Sequence, residues 1–246
     1  MHETEESGAF RPVILACRTL ELELLEAMRQ TQCDYPIVWI PSGLHNTPEK
    51  LHETLAQALG QCTGFTHVLA AMGFCGGVFA RIETRDASLV LPRADDCITL
   101  LLGSFERRKA LNAEGVYYFT EGWIKGERTI MAEYRHAQEK YGEARAKRVF
   151  GVMLRNYCKA AFLNTGCGNA AWAAEMTGLA ASALGLDYCE LPGTLCFLER
   201  LLSGNWSEKD FVVIPPHTMI SSAQLALYPA TRPLEMPSGQ GCHFSI

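Results

Sequence analysis

Residues 11–40 read RPVILACRTLELELLEAMRQTQCDYPIVWI, and this stretch decides the class of fold. Residues 11–17 form a short apolar run rich in β-formers. Residues 19–29 carry Leu20, Leu24, Leu25 and Met28 at helical spacing, and residues 35–40 are a second apolar run with Pro36 at its start. Strand, helix and strand in direct succession make a βαβ unit, whose strands pair in parallel through a right-handed crossover.

The same rhythm continues outward. Thr47 is placed to cap a helix that has Pro48 in its first turn, Glu49 and Glu53 near its positive end, and Leu51, Leu55, Ala58 and Leu59 as its buried stripe. Residues 66–72 (THVLAAM) and 88–91 (SLVL) read as strands stopped by Gly73 and Pro92, residues 97–103 as an apolar helix, and residues 115–120 (GVYYFT) as a fifth strand. Residues 130–156 form a long charged helical connection. Beyond it come a strand at 159–164, an Ala-rich helix at 169–184, a strand at 188–191, a helix at 195–202 and a strand at 210–214. The expected fold is α/β, with largely parallel sheets covered by helices and two βα lobes that leave a cleft at the strand carboxyl ends. Residues 1–129 are expected to form the first lobe, 130–158 the helical connection, 159–227 the second lobe, and 228–246 a covering or mobile tail.

Composition narrows the function. With 48% hydrophobic residues, 20% charged residues and a net charge of −5, the 246-residue chain has no basic footprint for nucleic acid or anionic membrane. No run approaches the roughly 18 apolar residues of a spanning helix, and the first ten residues are acidic and polar, unlike a secretory signal. A cytoplasmic chain is expected. The ten cysteines are scattered, which fits reduced thiols better than a disulfide framework. Cys17, Cys158, Cys189 and Cys196 lie in or beside apolar runs and read as packed core thiols.

Ligands of parallel α/β sheets bind beyond the carboxyl ends of strands. Three such places carry metal-ligating side chains: His45 after the second strand, Cys75 in Gly73-Phe74-Cys75-Gly76-Gly77 after the third, and Cys97 after Asp95-Asp96 behind the fourth. Gly73, Gly76 and Gly77 free the backbone to turn and let a cofactor or ligand approach, yet the segment matches neither the dinucleotide fingerprint nor the P-loop. Two aspartates oppose a thiolate unless a cation intervenes. One imidazole and two thiolates suit zinc and leave a fourth position open, with Asp96 and Arg93 placed to orient a small-molecule substrate. Unmetallated thiol chemistry and plain ligand binding remain alternatives. A rival pairs Cys75 with Cys167, in Thr165-Gly166-Cys167-Gly168-Asn169, in a layout similar to cofactor-free two-cysteine racemases. His217 follows the last strand and, as a lone histidine, reads more readily as a surface residue. Tyr118 and Trp123 read as pocket wall or, more ordinarily, as core.

These residues together resemble a family. Ile14-Leu15-Ala16-Cys17, Gly43-Leu44-His45-Asn46 with Pro48, the glycine turn around Cys75, Arg93 with Asp96-Cys97, Gly103-Ser104, and Tyr117-Tyr118-Phe119-Thr120-Glu121-Gly122-Trp123 resemble the bacterial and archaeal proteins grouped as domain of unknown function 1638. Gly204-Asn205-Trp206 and residues 210–216 extend the resemblance. It implies an association with corrinoid-dependent methyltransferases, and hence a corrinoid protein or methyltransferase as partner. It also favours the zinc site, because zinc-dependent alkyl transferases use such ligands to activate a thiol acceptor. Cys167 has no place in the family pattern. The expectation is a zinc-dependent enzyme of one-carbon metabolism, transferring a methyl or other group to a thiol or small polar substrate. The alternative is a non-catalytic accessory of a corrinoid pathway.

Overall fold

A computed structural model describes residues 10–126 and 129–225. The acidic start and the tail expected at 228–246 lie outside the described residues, apart from Phe10.

The opening stretch folds as β1 (Pro12–Cys17), α1 (Glu21–Thr31) after a short turn of 3-10 helix, and β2 (Ile37–Ile40). There follow α2 (Pro48–Gln61), β3 (His67–Ala71), β4 (Ser88–Pro92), α3 (Cys97–Leu102), α4 (Phe105–Ala113) and β5 (Val116–Phe119). The second half comprises α5 (Glu121–Ile124), α6 (Ile130–Tyr141), α7 (Glu143–Met153), β6 (Lys159–Asn164), α8 (Ala170–Leu184), β7 (Asp187–Pro192), α9 (Cys196–Leu202) and β8 (Phe211–Ile214).

β1 lies between parallel neighbours, β2 on one side and β3 on the other, with Ile14 opposite both Ile37 and Leu69, and both its faces are buried, Val13 and Leu15 in one apolar cluster and Ile14 and Ala16 in another. The first sheet runs β2-β1-β3-β4-β8 and the second β5-β6-β7. All pairs are parallel except β4 with β8. The fold is therefore mixed α/β, as expected, but two strands change places. β5, read with the first lobe, pairs with β6, whereas β8, read with the second, returns to the edge of the first sheet. An antiparallel edge strand needs no crossover helix, and Val213 faces outward from that edge.

A single apolar cluster takes Ile14, Leu69 and Val90 from the first sheet, Val116, Tyr118 and Ala161 from the second, and Leu24, Leu101 and Leu198 from α1, α3 and α9. The two sheets thus share one interior. α2 and residues 74–82 cover the other face of the first sheet, and α6, α7 and α8 cover the other face of the second.

The long connection expected at 130–156 is broken into α6 and α7 at Gly142, whose φ of +81° a side chain would resist. Thr47 makes no side-chain cap; Pro48 starts α2 as expected, and the Thr47 carbonyl accepts from the Leu51 N–H. Among the described residues no helix is long and apolar enough to cross a membrane.

Candidate functional site

The carboxyl ends of β1 to β4 open into a cavity of about 690 Å³, closed from the second sheet by the start of β5 and by Tyr157. His45, Cys75 and Cys97 all line it, so three separate strand ends do deliver their donors to one place. Cys17, the last residue of β1, lines it as well. Its reading as a packed core thiol therefore needs amending. Cys189 and Cys196 pack against the shared interior as expected.

Cys97 lies between Cys17 and Cys75, near enough that each thiol perturbs the next. The neighbouring Cys97 thiol, and then burial, push Cys17 well above its ordinary value. Cys17 pulls Cys97 down, but Cys75 and burial together outweigh it and the net shift is strongly upward. In the absence of a cation these are neutral thiols. Among the described residues, no group of three or more His, Cys, Asp or Glu side chains is arranged to hold a metal ion as it stands.

The backbone around Cys75 is unusual. Cys75 itself has a φ of +44°, a left-handed conformation that costs an ordinary residue about 1 kcal/mol, and Gly76 and Gly77 continue in the same region. Two hydrogen bonds hold the turn against the segment after β4: the Phe74 N–H donates to the Ala94 carbonyl at 2.8 Å and the Cys75 N–H to the Asp95 carbonyl at 2.7 Å. Gly73 is needed for packing, since a Cβ there would lie 2.5 Å from the Asp96 Cα. Of the three glycines expected at a cofactor, Gly76 lines the cavity, whereas Gly73 packs on Asp96 and the Gly77 N–H is taken by the Phe74 carbonyl.

Asp96 is held from two sides. Its Oδ1 caps α3 by accepting from the Thr99 N–H at 2.7 Å and from the Thr99 hydroxyl at 3.0 Å, and its Oδ2 accepts from Arg108 at 2.8 Å. The Arg108 guanidinium also lies over the Tyr118 ring, 4.4 Å from its centroid. The His45 imidazole leans on Trp123 at 5.3 Å. Burial lowers the His45 pKa, and the nearby Asp96 carboxylate opposes that shift. Arg93, expected beside Asp96, points elsewhere: its Nε donates to the Glu208 carbonyl at 2.8 Å, tying β4 to the approach of β8. The arginine of the cavity is Arg108, on α4, and nothing in the local sequence of α4 marks it.

Asp95 and Tyr118 also belong to the cavity wall. Asp95 lines the cavity with a buried Oδ1 that has no hydrogen-bond partner, and burial, then Asp96, raises its pKa. Tyr118 lines the cavity too, with its hydroxyl buried beside Arg108. Applying the strand-end rule to β1 would have found Cys17, and the double aspartate would have offered Asp95 beside Asp96.

Cys167 does not share this cavity. It lies near Glu23 and Glu121, so the facing pair with Cys75 that a two-cysteine racemase needs is not formed. His217 is exposed and lies 3.5 Å from Asp86. Glu23 is only 2% exposed; its Oε1 accepts from the Thr165 hydroxyl at 3.1 Å while its Oε2 has no partner. Burial and, to a lesser degree, Glu121 raise its pKa from the ordinary 4.5. A raised carboxyl pKa means the folded state holds the proton longer, so stability present below the unfolded value is lost as pH rises through the folded one. Glu23→Gln is expected to remove that loss. Melting temperatures of the two proteins should converge at pH 4.5 and separate with rising pH, the variant gaining on the order of 1 kcal/mol, or roughly 2–4 °C.

A family model described as Protein of unknown function (DUF1638) matches residues 39–202, which contain His45, Cys75, Asp95, Asp96, Cys97, Arg108 and Tyr118 and leave out β1 with Cys17. No curated protein and no solved structure matches the chain. Because the match takes in two thirds of the sequence and almost the whole cavity wall, the chain belongs to the DUF1638 family.

Proposed function

We propose that the chain is a zinc-dependent enzyme of one-carbon metabolism that transfers a methyl or other small group to a thiol or small polar substrate. One observation carries this reading: His45, Cys75 and Cys97, from three different strand ends, line one cavity with Cys17 beside them. Imidazole nitrogen and thiolate sulfur are the donor set zinc prefers, and three protein ligands leave one position for a reacting group. Bound zinc would act there as a Lewis acid that holds a thiolate acceptor at neutral pH. The donors would have to draw together from their present spacing.

The chain's own residues supply the rest. Asp96, fixed by Thr99 and Arg108, stands near His45 and offsets the desolvation of its imidazole, as carboxylates commonly do for metal-binding histidines. Trp123 limits the tilt of the same ring. The two aspartates at the cavity make it more favourable for a cation than for free thiolates. The setting is the cytoplasm, where free thiols stay reduced, and the group donor is a corrinoid protein or methyltransferase partner. Elemental analysis of anaerobically purified protein tests the reading. About one zinc per chain is expected for a site of this kind, and folded but metal-free protein would overturn it. Stoichiometric zinc without turnover on methyl donors would favour an accessory role.

A further inference from the structure

We propose that Cys17 and Cys97 form a reversible disulfide, a peroxide-sensitive modification site built into the cavity. As a switch on zinc binding it rests on the metal reading above; as a bond between two thiols it stands without it.

The sheet register brings the two residues together. Cys17 ends β1, which runs parallel to β3 with Ala16 opposite Ala71, so the chain beyond Ala71 leaves its strand beside Cys17. Neighbouring strands lie about 4.8 Å apart. Two residues further on, Gly73 lies directly against Asp96: a Cβ on Gly73 would come within 2.5 Å of the Asp96 Cα. Cys97 follows Asp96 as the first residue of α3, and its thiol stands at the Gly73 main chain. It is thereby held over the end of β3, next to the end of β1. Both thiols line the cavity and pack against the same apolar cluster. Each acts directly on the other, side chain to side chain. Cys75 also acts on Cys97, but Cys17 does so more strongly, and Cys17 lies outside the proposed ligand set. Oxidation would give up one weak bond, from the Cys17 thiol to the Thr19 hydroxyl at 3.3 Å.

Both thiols are free and partly exposed, so a small oxidant that enters the cavity reaches them. Hydrogen peroxide converts one thiol to a sulfenic acid and releases water. The second thiol attacks that sulfur, the S–O bond breaks and a second water leaves. In sum, two thiols and one peroxide give one disulfide and two waters: each sulfur gives up one electron and one proton, and the peroxide is reduced. Thiolates react faster than thiols, and these two are held protonated, so the site answers to a sustained excess of peroxide and not to traces. Exchange with an added dithiol restores the pair. A disulfide sulfur is no thiolate donor, so oxidation has the same consequence for a metal as removing the Cys97 thiol. In reducing compartments disulfides are of this transient, sensing kind.

Disulfide mapping on the full chain provides the test. Protein as purified, and protein first stripped with a zinc chelator, is exposed to excess hydrogen peroxide, blocked with iodoacetamide, digested without reductant and analysed by mass spectrometry. Peptides carrying Cys17 and Cys97 are expected to be joined, and to separate on treatment with dithiothreitol. Cys75→Ser protein, its fold checked by circular dichroism, should form the same link, and Cys17→Ser protein should not. Cys97 joined to Cys75 instead, or Cys17 and Cys97 recovered as unreacted thiols or as separate sulfinic acids, would overturn the proposal. Zinc is measured on the same samples. Where it binds, the linked protein should hold it at least about a hundredfold more weakly, as for loss of a ligand, and undiminished affinity would overturn the switch. A link in protein that never binds zinc would uphold the disulfide and overturn only the metal reading; bound zinc without a link would do the reverse.

Discussion

Cys97→Ser protein is expected to keep its fold and lose its zinc. Cys97 lies between Cys17 and Cys75 and is the first residue of α3, whose N-cap Asp96 is untouched by the change. Serine is close to isosteric with cysteine, so packing is preserved while a soft thiolate donor is exchanged for a hydroxyl that zinc binds poorly. Loss of a residue that merely supports a ligand costs about 10–100-fold in metal affinity, and loss of the ligand itself should cost at least about a hundredfold by the same comparison. Chelator competition on the anaerobic protein measures this directly. Cys75→Ser should match Cys97→Ser, whereas Cys17→Ser, removing a neighbour of Cys97, should cost only about tenfold. Equal zinc affinity in wild type and Cys97→Ser would remove Cys97 from the ligand set.

Gly73→Ala should be the most damaging single substitution at the cavity. The new Cβ would meet Asp96 backbone atoms at 2.5, 2.6 and 2.7 Å. No side chain can swing aside to relieve this, because both partners are main chain, and the hydrogen bonds from Phe74 and Cys75 to the facing carbonyls hold the segments together. Forcing them apart should cost about 3 kcal/mol, or roughly 6–12 °C in melting temperature for a chain of this length. Gly76→Ala provides the contrast. Its Cβ meets nothing within 4 Å, so only the φ of +78° opposes it and about 1 kcal/mol is expected. A Gly73→Ala protein as stable as Gly76→Ala would show that the two strand ends are not locked as described.

Much of this architecture could be read from local pattern, and the limits were physical. Each of the eight strands has a matching run in the sequence, clearest for β1, β3 and β6, because parallel strands buried on both faces are continuous hydrophobic stretches. Which sheet a strand joins was not legible. The partners of β5 and β8 are set by chain return over long distances, and neither GVYYFT nor DFVVI differs locally from the other strands. His45, Cys75 and Cys97 were found because a strand end is a place the sequence marks, with glycine or proline immediately after the apolar run. Cys17 ends its strand without such a mark, and its apolar surroundings disguised a cavity thiol as core. The exchange of Arg93 for Arg108 has a similar origin. Arg93 is next to the aspartates in sequence, but the backbone turns its side chain toward Glu208, and α4 brings Arg108 back to Asp96 from twelve residues away.

The central claim is that one metal position gathers the donors of separate strand ends. X-ray absorption at the zinc edge, on anaerobically purified protein, tests it most directly. Two or more sulfur neighbours at about 2.3 Å and one imidazole nitrogen at about 2.0–2.1 Å are expected. A zinc shell made only of nitrogen and oxygen, or no bound zinc in folded protein, would contradict it.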